Sequence, residues 1–418
     1  MRSRRLEGAA QLLKLSWRNV MRNRRRTFIA ATAVGMGLAS MIFYDGMMEG
    51  THESLVSTAT STWVGQAQIY RRGYPERLEV SQTVFRAESL MAELEGEESV
   101  RAFTPRLEAQ GMVSSAAGYA AATVTGISPP SECLVSRVDD ALEVGAVPLA
   151  DSVRGLMIGR EMADDLELET GDRAVVTVSM ADSGGIHQEM IRVSGVFRTG
   201  DPELDGYRAL VPIDLAREMA GLGPKASNRL VIVFNDLSAG ADSTLGFWDR
   251  YSRRGNLAVG WPELVPQVDI LSEMSGMAIS IVGLILFGLI AFGVVNTLFM
   301  SIYERMFEFG VLRAIGTSSR RLAAMVVLEA SCLALVSVAV GSVLGLAAMM
   351  ITGQTGLDFT GIEFSGVTFY QPIYPALRWL PQFVLYPAGL MILTTLTGVY
   401  PALHAARKKP ADAMRRSL

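Results

Sequence analysis

The sequence predicts an α-helical membrane protein with four transmembrane helices and a large α+β extracytoplasmic domain between helices 1 and 2. Three observations predict it. Half of the 418 residues are hydrophobic, yet 19% are charged and the net charge is only −4, the balance of a membrane chain with a substantial water-facing part. Four apolar runs, Phe28–Met48, Met274–Tyr303, Leu322–Ile351 and Leu380–Pro401, each reach the length of about 20 residues that a helix needs to cross a bilayer. Between the first two lie about 220 residues of mixed helical and alternating pattern, enough to bury a core of their own.

Taken in order, residues 1–26 are expected to form an amphipathic cytoplasmic helix. Leu13, Trp17, Val20 and Met21 share one stripe, flanked by Lys14, Arg18, Arg22 and Arg25, as in a helix lying in the plane of a leaflet. Transmembrane helix 1 covers 27–48. Its apolar core is longer than the 7–15 residues of a signal peptide, and no small-x-small cleavage site follows, so it reads as a retained span.

The domain at 49–270 reads as two lobes with a break near 145–152, where Gly145, Pro148 and Asp151 cluster. Ala120–Ile127 and Arg229–Asn235 are β-rich, while Leu156–Leu168 and Ile213–Leu222 carry helical periodicity. Arg173–Met180 and Glu189–Phe197 alternate around the turn residues Asp182-Ser183-Gly184-Gly185, the pattern of a hairpin with a glycine-rich tip.

Transmembrane helix 2 occupies 271–303 and is long enough to protrude as a stalk. A connector at 304–321 follows, then helix 3 at 322–351, a short loop at 352–379, helix 4 at 380–401 and a tail at 402–418. Within helix 3, Gly341-Ser-Val-Leu-Gly345 is a G-x-x-x-G that permits close helix approach, a dimer face included. Met36, Met41, Met47 and Met48 either line a deformable apolar cavity or face lipid.

Basic residues set the orientation. The N-terminal segment, the 304–321 connector and the tail are rich in arginine and lysine, whereas the loop between helices 3 and 4 holds only Arg378. Both termini are therefore expected in the cytoplasm and the 49–270 domain outside. Cys133 lies in that domain and Cys332 in helix 3, so no intrachain disulfide is expected.

Catalysis by this chain is not expected. It contains no G-x-x-x-x-G-K-[ST], no G-x-S-x-G and no H-E-x-x-H. Three scattered histidines and two distant cysteines do not make a metal site of recognisable spacing. The connector is the more telling stretch. Glu304, Arg305, Glu308 and Arg313 surround Phe307 and Phe309. Large aromatics in an aqueous connector argue for a docked surface, against the alternative of an ordinary polar linker.

These residues carry a resemblance. YERMFEFGVLRAIGTSSRRL resembles the coupling-helix signature of the ABC transporter permeases that include the macrolide exporter, the lipoprotein-releasing permeases and the cell-division permease, the FtsX-like permease family. TGVYPALHAARKKPADAMR looks like that family's ending of helix 4, and LLKLSWRNVMRNRRRTFIA like its opening. Within the large domain, TGISPPSE and MIGREMADDLELETGD, followed by IRVSGVFRTGDPELDGY, resemble the lipoprotein-releasing branch.

The resemblance implies a bacterial inner-membrane permease that dimerises with an identical or paralogous permease. It implies two copies of a separate ATPase that binds ATP and Mg, so that this chain holds no cofactor of its own. It further implies a mechanism of mechanotransmission that passes lipoprotein from the outer leaflet to a periplasmic carrier, with membrane lipids but no nucleic acid as a further partner. Glu304, Arg305, Phe307, Glu308, Phe309 and Arg313 are the expected ATPase-coupling residues. Met36, Ser40, Phe43, Met47, Met277, Ile281 and Leu284 are the expected wall of a substrate cavity, and Met180, Asp182, Gly184 and Ile186 the expected carrier contact. Two other readings stay open: export of drugs or peptides from the periplasm, and a signalling scaffold that controls a periplasmic hydrolase.

Overall fold

The computed structural model describes residues 14–147, 154–182, 184–361, 363–364, 367–369 and 371–407. The N-terminal residues through Leu13, most of the expected break at 145–152, Ser183 of the hairpin tip and the basic tail from Lys408 lie outside these. The chain divides into two compact units. A helical unit takes the described parts of Met1–Glu53, Ser272–Asp358 and Pro372–Leu418, and a sheet domain takes Ser54–Leu271 with Phe359–Gln371. Part of the short loop between helices 3 and 4 thus belongs to the sheet domain, which the sequence pattern did not indicate.

Among the described residues, four helices are long and apolar enough to cross a membrane: Arg24–Val64, Pro266–Glu304, Ser319–Thr355 and Pro381–Arg407, here called spans 1 to 4. A short helix at 14–22 precedes them. Span 1 is α-helical over Arg24–Ala59 and ends in a π-helical turn, Thr60–Val64. The 39 residues of span 2 cover about 58 Å at 1.5 Å each, against a hydrocarbon core of about 30 Å. Span 4 begins with its own π-helical turn, Pro381–Leu385.

Glycines decide how spans 1 and 3 meet. A Cβ on Gly341 would lie 2.6 Å from the Gly35 carbonyl oxygen, and one on Gly345 would lie 3.1 Å from Ile42. The G-x-x-x-G of span 3 therefore serves packing within this chain, and its dimer-face alternative is corrected. Close approach there fully buries Leu38 and Ile42, which join Val294, Leu298, Ala330 and Leu390 in one cluster.

Among the described residues, the main sheet of this domain has ten strands: β1 (Ala67–Arg71), β2 (Val100–Ser114), β3 (Tyr119–Ile127), β4 (Leu142–Gly145), β5 (Gly155–Gly159), β6 (Arg173–Ser179), β7 (Ile186–Phe197), β8 (Arg208–Pro212), β9 (Arg229–Phe234) and β10 (Asn256–Gly260). Their order is β10-β1-β9-β2-β3-β8-β5-β7-β4, and β6 pairs with both β2 and β7. The run Leu230-Val-Ile-Val-Phe234 is wholly buried, as expected of a central strand covered on both faces.

The two largest cores among the described residues do not divide where the sequence pattern put the boundary. One gathers Ile69, Leu94, Leu230, Ile232, Phe234 and Phe247. The other gathers Leu107, Val124, Ile158, Val176, Ile191 and Met219. Long β2 runs through both, pairing with β9 through its first half and with β3 through its second. The strands on either side of the expected break, β4 ending at Gly145 and β5 starting at Gly155, both pair with β7, so they belong to one part of the sheet. The expected helix over Leu156–Leu168 is also corrected. Residues 155–159 form strand β5, buried throughout, and only Arg160–Asp165 is helical. A short buried strand and a helical turn have the same apolar density, so periodicity did not separate them.

Candidate functional site

Among the described residues, one cluster of charged side chains sits against the helices of the bundle and another lies within the sheet domain. The first is the connector between spans 2 and 3. Span 2 ends at Glu304, Arg305 leaves helical geometry, and a second helix runs Met306–Ala314. Gly316, at φ 103°, makes the turn into span 3. Phe309 on the inner face of this helix is buried with Ile302, Leu322, Val326, Ala402 and Ala405.

Arg305 is the hub. Its Nη1 donates to both Glu329 oxygens, at 2.9 and 3.1 Å, and its Nε donates to Glu308 Oε2 at 3.1 Å. Its guanidinium carbon lies 5.2 Å from the Phe309 ring centre. Glu308 also accepts from Arg22 at 2.9 Å, and Glu304 accepts from Arg26. Arg313 donates to the Ala406 carbonyl at 2.7 Å and to the Ser319 hydroxyl. Partial burial works against the Glu308 carboxylate, but hydrogen bonds from Arg305 and Arg22 outweigh it and hold its pKa below the ordinary range.

Of the expected coupling residues, the structure turns Arg305, Phe309 and Arg313 into the chain's own bundle. Phe309 is 3% exposed, so it is not part of a docking surface, and this expectation is corrected. Glu304 and Glu308 are partly exposed but already paired. The apolar side chains presented outward are Phe307, 50% exposed, with Leu312 and Ile315. Sequence reasoning missed Glu329, although an acid inside an apolar run is itself a signal. Arg22 was read only as flanking charge and Arg26 only as part of the basic N-terminal segment, because nothing local ties them to the connector.

The second cluster fills the centre of the sheet domain. The π-helical turn places Trp63 between Arg106 and Arg208, whose guanidinium carbons lie 3.7 and 4.5 Å from its ring centre. Arg106 and Glu132 are fully buried and paired through two hydrogen bonds, and Arg106 also donates to the Trp63 carbonyl at 2.7 Å. Glu108 takes Arg208 at 2.9 Å and Arg229 at 2.8 Å. Burial alone would raise the Glu108 pKa, yet Arg229, Arg208 and Arg106 together bring it down to about 2. Nothing in the local sequence announced this knot, which ties the Thr60–Val64 turn to β2, β8 and β9.

The other expected residues are divided in the same way. Met36, Ser40, Met277, Ile281 and Leu284 face outward, whereas Phe43 packs partly into the helical core and Met47 is half-buried. Spans 1 and 2 touch where Met41 covers Gly283 and Gly37 meets Ile290, which puts Ser40 and Leu284 at about one level. At the hairpin, Asp182, Gly184 and Ile186 are exposed. Met180 is instead partly buried beside Gly221, and the neighbouring Ala181 amide donates to the Ala220 carbonyl at 2.9 Å. The stretch FRTGDPELD has a structural task. Buried Asp205 accepts from the Thr199 amide and hydroxyl, both at 2.8 Å, and from the Gly200 amide at 3.0 Å. Among the described residues, no group of three or more His, Cys, Asp or Glu side chains could hold a metal ion.

Residues 280–410, which contain the connector and spans 3 and 4, match the family described as FtsX-like permease C-terminal. The chain carries an FtsX-like permease domain. Across 420 residues, 96% of this chain and 98% of its relative, it is 20% identical to the lipoprotein-releasing system transmembrane protein LolE of Haemophilus influenzae. It is 22% identical over 312 residues, 70% and 73% of the two chains, to the lipoprotein-releasing system transmembrane protein LolC of Xylella fastidiosa strain 9a5c. Among solved structures, the periplasmic region of MacB from Actinobacillus actinomycetemcomitans is similar over 51% of this chain and 95% of that one, at 12% identity and a TM-score of 0.35.

Proposed function

We propose that this permease is the membrane subunit of an ATP-driven ABC transporter that extracts lipoproteins from the outer leaflet of the bacterial inner membrane. The observation that carries this reading is the end-to-end similarity to a lipoprotein-releasing permease, which spans the sheet domain as well as the helices. Both termini lie in the cytoplasm and the sheet domain in the periplasm. A second permease, identical or paralogous, completes the membrane part. Two copies of a separate ATPase bind ATP and Mg and dock on the connector.

The chain's own residues supply positioning. Arg305 joins the connector helix to span 3 through Glu329, Arg22 joins it to the N-terminal helix through Glu308, and Arg26 joins span 1 to the end of span 2 through Glu304. A push on Phe307, Leu312 and Ile315 therefore reaches span 3 and the N-terminal helix through ion pairs and span 4 through Phe309 and Arg313. Exposing each acyl CH₂ to water costs about 0.8 kcal/mol, so several long chains must stay sheltered between bilayer and carrier. Met36, Met277, Ile281 and Leu284 offer an apolar, deformable wall for this, and the exposed hairpin tip at Asp182, Gly184 and Ile186 offers the carrier contact.

Gentle solubilisation of the tagged permease tests the reading. Co-purification of an ATPase, a second permease and acylated protein is expected. Recovery of an outer-membrane duct component with no acylated protein would favour the drug or peptide exporter, and recovery of a cell-wall hydrolase would favour the signalling scaffold.

A further inference from the structure

The N-terminal helix and the first turn of span 1 do two jobs with two sets of cations. Arg22 and Arg26 are spent on Glu308 and Glu304. Lys14, Arg18, Arg24 and Arg25 are exposed and, among the described residues, have no carboxylate partner. The helix is fixed against span 3 by its opposite side. Ser16 and Val20 are buried, and the Ser16 hydroxyl donates to the Met325 carbonyl at 3.2 Å. The four free cations alternate with exposed apolar side chains: Leu15 and Trp17 on the helix, then Phe28 and Ile29 at the start of span 1. Phe28 and Ile29 continue into the apolar surface of the span, so the patch lies where acyl chains give way to headgroups.

We infer that this patch is a binding surface for anionic phospholipid headgroups, with phosphates at Lys14, Arg18, Arg24 and Arg25 and acyl chains along Trp17, Phe28 and Ile29. Charge complementarity selects this occupant. Four cations beside an apolar band match a leaflet whose headgroups carry net negative charge. A zwitterionic surface offers the same apolar contact without net charge to pair. The guanidiniums of Arg22 and Arg26 sit one turn from this patch and hold the connector, so headgroups there would rest beside the contacts that position it. The inference needs this helix at the membrane surface and does not depend on the transport reading.

The test uses the full-length permease alone in lipid nanodiscs, without nucleotide or partner. Trp17 fluorescence, isolated as the difference from the Trp17→Phe variant, is quenched by brominated phosphatidylglycerol or, at equal mole fraction, by brominated phosphatidylcholine in a phosphatidylcholine background. The wild type should show stronger quenching by the anionic lipid, with a preference of about tenfold in apparent affinity at low salt. That preference should fall several-fold at about 0.5 M salt, because the contacts are exposed. The Lys14→Gln/Arg18→Gln/Arg24→Gln/Arg25→Gln variant should quench equally with both lipids. If that variant does not insert, the salt series on the wild type carries the test. Equal quenching by the two lipids in the wild type, or a preference indifferent to salt, overturns the proposal and leaves the patch to a protein partner.

Discussion

Glu132 and Arg106 form a buried pair whose worth depends on both members staying. Removing one partner from such a pair leaves an uncompensated buried charge and costs about 3–5 kcal/mol. Glu132→Ala should therefore lower the thermal unfolding transition of the purified permease markedly, while an exposed control such as Glu98→Ala should leave it in place. Glu108 adds a pH dependence. Its folded-state pKa is pulled from 4.5 to about 2 by three arginines, so its stabilising effect is whole above about pH 4.5 and is lost as the pH falls toward 2. Unfolding followed between these limits should show that loss, and Glu108→Gln should flatten it. An unchanged slope in the variant would assign the acid sensitivity elsewhere. None of this was legible in the sequence. Arg106, Glu108, Glu132, Arg208 and Arg229 are scattered over more than a hundred positions, and only the sheet's register brings them around Trp63.

The connector helix shows what periodicity can and cannot say. Its place between two spans, its charges and its aromatics were all readable. Which aromatic faces outward was not, because Phe307 and Phe309 are two residues apart and the helix rotation depends on what Arg305 and Phe309 find in the bundle. The structure makes the two separable. Phe309→Ala, a truncation in a packed cluster, should cost about 3–5 kcal/mol of stability. Phe307→Ala should leave stability intact and weaken ATPase association about tenfold or more, as expected for an aromatic anchor. Thermal unfolding and pull-down of the ATPase read the two effects. The reverse pattern would mean that the helix docks with its other face. The glycines of span 3 taught a similar lesson: close approach was legible from their spacing, but its partner, span 1 of the same chain, was not.

At the scale of the whole molecule, four spans and an inserted α+β domain followed from apolar length and from the switch between helical and alternating pattern. The lobe boundary did not, because the sheet domain is held by β2 passing through both cores rather than by consecutive segments. The outward faces of spans 1 and 2 are where substrate is expected. Photo-crosslinkers at Met36 and Leu284 should capture acylated protein, and one at Leu335 on span 3 should not; equal labelling at all three would remove the proposed wall. The central claim is ATP-driven lipoprotein release, and it is tested most directly in proteoliposomes holding this permease, its co-purifying ATPase and any second permease, loaded with a labelled lipoprotein. With ATP and an excess of soluble carrier, lipoprotein should leave the membrane in a carrier-bound form, and Phe307→Ala should abolish the release while the complex hydrolyses ATP uncoupled or not at all. Lipoprotein that stays in the bilayer during sustained ATP hydrolysis by the intact complex would contradict the account.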